Sequence, residues 1–230
     1  MNPRRGTFIS FEGLDGCGKS TQIERLAGKL REQKLALIVT REPGGTPIGE
    51  RIRQLLLDTR TSGLNPLAEM ALMFAARAQH IQEVILPAVK QGKIVLSDRF
   101  TDSTEAYQGG GRRLGTNIVL ALHHILCGDL KPDLTILMDS DVVSSVDRAR
   151  RRNQGRSSSE ASDENRFELE NRAFFTRVHN AYLDIARREP ERVVVVDARG
   201  TADETQEKIF EIVSGRLMLK GSAGRAQHGR

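Results

Sequence analysis

The sequence predicts an α/β fold in which a five-stranded parallel sheet is wrapped by helices. Five short apolar segments alternate with stretches of helical spacing along the 230 residues, as in a series of strand–helix–strand units. The apolar segments lack regular alternation with polar residues, which is typical of strands covered on both faces. A glycine-rich phosphate-binding motif follows the first segment. These observations favour one sheet with its ligands at the carboxyl ends of the strands.

The motif at residues 13–20 reads GLDGCGKS and fits G-x-x-x-x-G-K-[ST], the P-loop. Its glycines let backbone N–H groups point at phosphate oxygens. The lysine reaches the β- and γ-phosphates, and the serine hydroxyl binds Mg²⁺. A strand predicted at 7–11 and a helix predicted at 19–33 flank the motif, as the P-loop NTPase fold requires. The residues predicted to bind the nucleotide are Gly13, Leu14, Asp15, Gly16, Cys17, Gly18, Lys19, Ser20 and Thr21.

The remaining elements follow in order. Strands are predicted at 35–40, 94–96, 134–138 and 193–196, and helices at 48–57, 67–90, 118–126, 142–152, 167–188 and 202–219. Pro87 predicts a kink or break near the end of the long helix at 67–90. Residues 153–163 are polar and rich in serine and charge, which predicts a mobile segment. We therefore expect one domain over 1–219, with a lid at about 150–166 and a flexible tail at 220–230.

Asp98 and Arg99 follow the apolar strand predicted at 94–96. Ligands of parallel sheets gather outside the carboxyl ends of the strands, so this pair should share a cleft with the P-loop and with residues 41–46 and 139–141. Asp98 is placed to bind Mg²⁺ or its water shell, and Arg99 can bind a phosphate with two hydrogen bonds. An ion pair that only stabilises the strand end is the alternative.

A cluster of arginines brackets the polar segment: Arg148, Arg150, Arg151, Arg152, Arg156 and Arg166. A closing loop that brings arginines to the P-loop would neutralise the transferred phosphoryl group and exclude water. A solvated basic helix face is the simpler alternative. The sequence contains no Asn/Thr-Lys-x-Asp motif of the kind that reads guanine, which favours a kinase over a GTPase.

The amino-acid composition indicates which classes of binding partner to expect. The net charge of +5 is attributed to a polyphosphate ligand and not to nucleic acid, because aromatic residues make up only 4% of the chain and tryptophan is absent. No apolar run approaches the ~18 residues of a membrane span, so no membrane partner is expected. Two cysteines, Cys17 and Cys127, offer no disulfide framework and predict a cytoplasmic protein.

Runs of residues along nearly the whole chain resemble the thymidylate kinase family. They are 11–16 (FEGLDG), 40–46 (TREPGGT), 74–80 (FAARAQH), 97–100 (SDRF), 106–112 (AYQGGGR), 132–135 (PDLT), 165–168 (NRFE) and 196–198 (VDA). The resemblance implies ATP- and Mg²⁺-dependent conversion of dTMP to dTDP in dTTP biosynthesis, by a homodimer with a five-stranded core and a lid. The alternatives are another nucleoside-monophosphate or deoxynucleoside kinase, and a nucleotide-regulated binding protein without turnover.

The resemblance also implies roles around the acceptor phosphate and sugar. Asp15 matches the carboxylate that meets the 3′-hydroxyl of dTMP, and Arg99 and Arg53 match the ligands of its phosphate. Tyr107 matches an aromatic residue that lies against the deoxyribose and leaves little room for a 2′-hydroxyl. Gln108 lies beside it.

The base contacts are implied in the same way. Arg77 matches the arginine that hydrogen-bonds thymine O4, and Thr104 falls at the position that faces the N3 edge. The ring that stacks on the base in the family lies four residues before this arginine, where this chain has Met73, and Phe74 is three residues before it. Either side chain is a candidate, Met73 through its polarizable thioether.

The resemblance also implies which residues take part in phosphoryl transfer. In one branch of the family the position of Gly16 carries a catalytic arginine, whereas in the bacterial branch it is small and the lid supplies the arginines. Gly16 therefore matches the second arrangement, and Arg148 matches the adenine region together with the loop after Asp197. The predicted catalytic residues are Lys19, Arg99, Arg152, Arg156 and Arg166, and the predicted metal ligands are Ser20 and Asp98.

Overall fold

A computed structural model describes residues 5–61, 63–154 and 166–226, with side chains except at 152–154 and 218–226. Five strands form one parallel sheet in the order β2-β3-β1-β4-β5. They are β1 (Thr7–Glu12), β2 (Leu37–Arg41), β3 (Ile94–Asp98), β4 (Leu134–Asp139) and β5 (Val193–Asp197). The predicted five-stranded parallel α/β fold is confirmed.

Helices cover both faces of the sheet. Those within the described residues are α1 (Lys19–Glu32), α2 (Pro47–Leu57), α3 (Pro66–His80), α4 (Leu86–Lys90), α5 (Thr101–Thr104), α6 (Thr116–Cys127), α7 (Val142–Gln154), α8 (Arg172–Arg188) and α9 (Ala202–Ala226). Two π-helical segments, Ile81–Ile85 and Glu105–Gly111, and a 3₁₀ turn at Arg166–Leu169 complete the elements. One side of the core contains Ile9, Leu26 and Ile209, and the other contains clusters around Phe8 and Tyr107.

The strand register aligns the ends that carry chemistry. Phe11 pairs with Asp98, Arg41 pairs with Asp98 from the other side, and Asp139 pairs with Asp197. The carboxyl ends of the five strands therefore lie along one edge of the sheet, next to the P-loop that follows β1, and β4 and β5 extend about three residues beyond the level of Phe11. This edge is where the sequence predicts a shared cleft.

The segment from Thr101 to Gly111 was not predicted as an element. It forms α5 and the π-helical segment that continues it. Gly109 to Gly111 discourage a helical prediction, but these glycines allow a close approach to α8. A Cβ at Gly110 would lie 2.7 Å from the Cβ of Ala181, and one at Gly111 would lie 2.5 Å from the Phe174 ring.

The predicted helix at 67–90 is interrupted as Pro87 suggested, although the structure places the irregularity earlier. The chain widens to π-helical geometry at Ile81–Ile85, and the backbone N–H of Leu86 donates to the carbonyl of Ile81. Proline has no N–H to donate, and a π-helical turn is one way a helix accommodates such a break.

Two other predicted boundaries were wrong. The helix predicted from residue 167 begins at Arg172, because the side chain of Asn171 caps it by accepting from the N–H of Phe174 at 2.9 Å. The last helix continues to Ala226 and does not end at residue 219. The glycines at 221 and 224 disfavour helix without preventing it. Residues 227–230 of the predicted tail and 155–165 of the predicted lid lie outside the described residues.

No helix within the described parts of the chain combines the length and the apolar character needed to cross a membrane.

Candidate active site

The P-loop connects β1 to α1, and three of its glycines adopt positive φ angles. Gly13, Gly16 and Gly18 have φ of 134°, 78° and 99°, a region that glycine reaches without steric cost. The buried ammonium of Lys19 donates to the carbonyls of Gly13 at 3.1 Å and Leu14 at 2.8 Å. The lysine is therefore held inside the curve of the loop.

Gly16 lies directly against α7. A Cβ at this position would overlap the carbonyl oxygen of Ser145 and lie 2.9 Å from the backbone nitrogen of Ala149. The guanidinium of Arg148 donates to the Gly16 carbonyl at 2.9 Å and to the Ser145 hydroxyl at 3.1 Å. No side chain fits at position 16 in this packing, in line with the prediction that the loop lacks its own arginine.

A cavity of about 480 Å³ opens beside the P-loop. Its lining includes Cys17, Thr21, Arg148 and Arg199, so the predicted adenine region and the phosphate loop share one space. Arg199 was not predicted individually, although the loop after Asp197 was. Its guanidinium donates to Asp197 at 2.8 Å and to Asp139 at 3.1 Å.

The two predicted metal ligands lie together. The hydroxyl of Ser20, in the first turn of α1, donates to a carboxylate oxygen of Asp98 at 2.8 Å. Ser20 is exposed and Asp98 is half-buried. Hydroxyl and carboxylate oxygens are the hard ligands that Mg²⁺ prefers, and Mg²⁺ commonly uses one or two protein oxygens together with waters and phosphates. The pair therefore fits this ion.

Arg99 lies between the P-loop and the rest of the sheet edge, with a backbone φ of 74°. One terminal nitrogen, Nη1, donates to the carbonyl of Gly13 at 3.1 Å, and the other, Nη2, donates to Asp15 at 2.7 Å. Burial alone would raise the pKa of the Asp15 carboxyl, but the positive charges of Arg99 and Lys19 hold this pKa well below its ordinary value. Asp15 is thus an anion between two cations.

Tyr107 completes this group. Its hydroxyl donates to Asp15 at 2.9 Å, and its ring lies under the guanidinium of Arg99 with 5.0 Å from the ring centre to the Arg99 Cζ. The chain has two tyrosines, and the second, Tyr182, also has its hydroxyl 3.1 Å from Arg99 Nη1. Asp15, Arg99 and Tyr107, to which the resemblance gives roles at the acceptor sugar and phosphate, are therefore brought together.

Arg77 occupies a separate, deeper position. Its Nε donates to Glu42 at 2.7 Å, and Nη2 donates to the Thr104 hydroxyl at 2.9 Å. The guanidinium lies 4.9 Å from the ring centre of Phe74 and 5.4 Å from that of Phe100. The remaining nitrogen, Nη1, is buried and has no hydrogen-bond partner among the described residues.

Glu42, which the sequence did not single out, is the anionic partner in this pocket. It also bonds to Nδ1 of His80 at 2.9 Å. Burial opposes its ionisation, yet Arg77 and His80 hold its pKa below the ordinary value. The only sequence signal was its place in the run at 40–46.

Met73 and Phe74 face different parts of the core. Phe74 is fully buried in the cluster with Phe8 and Phe100. Met73 belongs to the cluster that contains Leu14 and Tyr107. The two candidates for contact with the base thus pack into different clusters.

Three predicted residues have contacts that differ from their expected ligands. Arg53 donates to the carbonyl of Pro43 at 3.1 Å, and Gln108 donates to the buried Glu69 at 2.8 Å. Arg166 donates to the carbonyl of Leu56 at 2.5 Å and lies 2.7 Å from a carboxylate oxygen of Glu69. Of the other predicted lid arginines, Arg152 is in α7 without a described side chain, and Arg156 lies outside the described residues.

Sequence reasoning also missed a buried acid directly before the P-loop. Glu12 accepts from the backbone N–H of Phe100 at 2.7 Å and from the Ser103 hydroxyl at 2.5 Å. Burial, together with the negative charge of Asp102, raises the pKa of Glu12 to about 8. Its neighbours are about 90 residues away in sequence, so no local pattern indicates them.

Comparisons with known proteins agree with this geometry. The thymidylate kinase family model matches residues 11–209. A thymidylate kinase of Syntrophotalea carbinolica is 48% identical over 93% of this chain and 98% of its own, and one of Pseudomonas syringae pv. tomato is 46% identical over 94% and 98%. The crystal structure of thymidylate kinase from Ehrlichia chaffeensis superposes with a TM-score of 0.72 at 30% identity, over 91% of this chain and 99% of that one. The chain belongs to the thymidylate kinase family.

Proposed function

We propose that this protein transfers the γ-phosphoryl group of ATP to dTMP, yielding dTDP and ADP, as a step of dTTP biosynthesis. One observation carries the proposal: Lys19 Nζ and Arg99 Nη1 both donate to the carbonyl oxygen of Gly13, each at 3.1 Å. A P-loop lysine binds donor phosphates, and we assign Arg99 to the acceptor phosphate. Lys19 and Arg99, which would hold the donor and acceptor phosphates close together, therefore both bind the carbonyl oxygen of Gly13.

The acceptor in this reaction is a phosphate oxygen, which is already anionic near neutral pH. No strong general base is needed, and catalysis rests on alignment and charge neutralisation. Lys19 and Arg99 neutralise charge on either side of the transferred group, and Asp15 orients Arg99 through their 2.7 Å contact while binding the acceptor sugar. Arg53 lies at the same edge and is assigned to the acceptor phosphate.

Mg²⁺ would be held by Ser20 and Asp98. When bound, the ion would neutralise charge on the β- and γ-phosphate oxygens. Thr21, Cys17 and the P-loop backbone would bind the donor phosphates, and Arg148 would contact the adenine in the cavity beside them.

The buried residues Arg77 and Thr104 are assigned to recognition of the acceptor base. Nη1 of Arg77, which has no hydrogen-bond partner in the part of the chain that the structure describes, supplies a donor for thymine O4. Thr104, which already bonds to Arg77, faces the N3 edge. We assign contact with the base to Met73, because it shares a cluster with Tyr107 whereas Phe74 is enclosed with Phe8 and Phe100. Tyr107 lies against the deoxyribose, and Gln108 supports that helix through Glu69.

Residues 150–166 are assigned as a lid that adds arginines on closure, from Arg152, Arg156 and Arg166. Removing the positive charge of each in turn should lower kcat with little effect on the KM for dTMP, because the lid acts in the transition state. The arginine whose loss has the largest effect is the catalytic one.

The protein is proposed to be a cytoplasmic homodimer with one kinase domain. Its described cysteines are free, which suits a reducing compartment. Helices α3 and α6 expose large apolar side chains, with Leu67, Ile118 and Ile125 at 50%, 37% and 71% exposure. Sedimentation of the wild type and of Ile125→Lys tests this assignment, since a charge in the interface should release monomers.

Release of ADP with a panel of acceptors tests the function. We expect dTMP to be the best substrate, dUMP to be weaker, and UMP, CMP and dGMP to be poor by at least about 10²-fold. Cytosine presents an amino group where Arg77 needs an acceptor, so CMP leaves buried polar groups unpaired. UMP has the same base edge as dUMP but carries the 2′-hydroxyl for which Tyr107 leaves little room, and the purine of dGMP is larger than thymine. Another preferred acceptor would identify a different nucleoside-monophosphate kinase. Tight nucleotide binding without ADP release would identify a binding protein.

A further inference from the structure

The two terminal nitrogens of the Arg99 guanidinium have different hydrogen-bond partners. Nη2 contacts Asp15 and the Tyr107 hydroxyl, at 2.7 and 3.3 Å, and both of those residues face the proposed acceptor. Nη1 donates to the carbonyl of Gly13 at 3.1 Å and also contacts the Ser103 hydroxyl at 2.9 Å and the Tyr182 hydroxyl at 3.1 Å. The proposed reaction does not use these two hydroxyls.

These two hydroxyls belong to a closed arrangement under Arg99. Ser103 Oγ and Tyr182 OH are 2.9 Å apart, and both donate to one carboxyl oxygen of Glu12, at 2.5 and 3.2 Å. The other carboxyl oxygen of Glu12 accepts from the N–H of Phe100. Glu12, Ser103 and Tyr182 are all buried and come from β1, α5 and α8.

The backbone at Arg99 needs such support. A non-glycine residue with φ of 74° is unfavourable by about 1 kcal/mol or more. The conformation is fixed on both sides, since the N–H of Arg99 donates to Phe11 and its carbonyl accepts from the Ser97 hydroxyl at 2.8 Å. The bond from Phe100 N–H to Glu12 extends this restraint to the buried acid.

We propose that Glu12, Ser103 and Tyr182 are positioning residues that hold Nη1 of Arg99 in the orientation required for the acceptor phosphate. The inference rests on the proposed role of Arg99 in binding that phosphate. Tyr182 is the decisive member, because it reaches Arg99 from α8, far from the P-loop in sequence, and its hydroxyl joins Glu12 to the guanidinium.

The choice of groups supports a positioning role. Hydroxyls accept the Arg99 hydrogen bonds without adding negative charge, so the guanidinium keeps the charge that a phosphate requires. A second ionised carboxylate at Nη1 would compete with the substrate. The raised pKa of Glu12 agrees with this, because burial and Asp102 disfavour its charged form while Arg99 favours it.

A double-mutant cycle between Tyr182→Phe and Arg99→Ala tests the proposal. On the wild-type background, Tyr182→Phe should lower kcat/KM for dTMP about tenfold, the usual effect of losing a hydrogen bond to a charged group, and leave the KM for ATP within about twofold. On the Arg99→Ala background the same change should have an effect of less than about twofold, because the group through which Tyr182 acts is absent.

Ser10→Ala is the matched control. Ser10 is a buried hydroxyl on β1 that bonds to Thr135 and not to Arg99, so it should change kcat/KM by less than about twofold on both backgrounds. Ser103→Ala is the second variant if Tyr182→Phe is unstable, and the same cycle applies.

Equal losses from Tyr182→Phe with and without Arg99 would overturn the proposal, and so would an equal rise in the KM for ATP. Arg99→Ala alone separates the two hypotheses. If this variant uses dTMP as well as the wild type does, then the role of Arg99 in the proposed function is wrong. If it is impaired while the effects of the two changes add, then only the positioning role fails.

Discussion

The proposed acceptor side of the site, around Arg77 and Arg99, differs from the proposed donor side, around Ser20, Arg148 and Arg199. The side chains of the acceptor side are already buried or half-buried and paired without a ligand, whereas those of the donor side are exposed. On the acceptor side, Arg77 and Glu42 are 2% and 3% exposed and already paired, and Arg99 has partners on both terminal nitrogens. On the donor side, Ser20 and Arg148 are exposed, and Arg199 is 61% exposed.

This difference indicates where selectivity and turnover arise. Buried, hydrogen-bonded groups discriminate strongly, because a wrong ligand leaves them unpaired. Exposed groups on a cavity need closure to exclude water before they act fully. Under the proposed function, the acceptor side should therefore set the choice of substrate, and the donor side should set the rate.

The largest effect is expected at Lys19, which is a buried cation of the P-loop on the donor side. Lys19→Ala should lower kcat by about 10³-fold or more, as expected for a preorganised charge at the transferred group. The fold should survive, because the lysine bonds only to carbonyls and a thiol of its own loop. Steady-state kinetics and thermal unfolding measure both effects.

Lys29→Ala is its control, since Lys29 lies on the same helix and contacts the ring of Phe210. Its turnover should stay within about twofold of wild type. Near-wild-type turnover in Lys19→Ala would contradict the assignment of the P-loop.

Removing an arginine from each side sharpens the comparison. Arg77→Ala should lower the free energy of unfolding by about 3–5 kcal/mol, because it leaves Glu42 as a buried anion with only His80 beside it. Arg148→Ala should cost less than about 0.5 kcal/mol, because Arg148 is exposed. Chemical denaturation compares the two, and similar losses would mean that the acceptor side is no more preassembled than the donor side.

Gly16 of the P-loop packs directly against α7. Gly16→Ala should lower the free energy of unfolding by about 1–3 kcal/mol, because the new methyl group meets Ser145 and Ala149 at a φ unfavourable for alanine. The KM for ATP should rise in parallel. Gly28→Ala, in the interior of α1 with no atom within 4 Å of the added Cβ, should instead be neutral or stabilising by about 0.5–1 kcal/mol.

The last prediction is a pH dependence at Glu12, spread over several pH units. Its pKa of about 8 in the folded protein lies above 4.5, the ordinary value, so between these pH values the folded state holds a proton that the unfolded state has lost. The free energy of unfolding should therefore fall with rising pH, by up to about 1.4 kcal/mol per pH unit from this group. Glu12→Gln should remove that slope between pH 5 and 8. An unchanged slope would mean that Glu12 is ionised in the fold.

The sequence predicted most of the fold because the information is local. Apolar runs mark the strands, helical spacing marks most of the helices, and the P-loop is a contiguous motif. Residues 101–111 escaped prediction because their glycines oppose a helix locally, whereas their contact with Phe174 and Ala181 is only formed in the folded chain.

Candidate site residues could be named from the sequence where a motif contains them, as for Lys19 and Ser20, or where they follow a strand, as for Asp98. Glu12, Ser103 and Tyr182 could not be found in this way, because three distant segments bring them together. Met73 and Phe74 are adjacent in sequence, and only the packing of α3 assigns them to different clusters. Long-range packing is therefore what sequence reasoning lacked in each case.

The location of the tyrosines has an optical consequence. The chain has no tryptophan and two tyrosines, and both phenol groups contact Arg99. Ultraviolet emission from the native protein therefore originates next to Arg99, and the protein carries an internal reporter of the proposed acceptor phosphate site without any label.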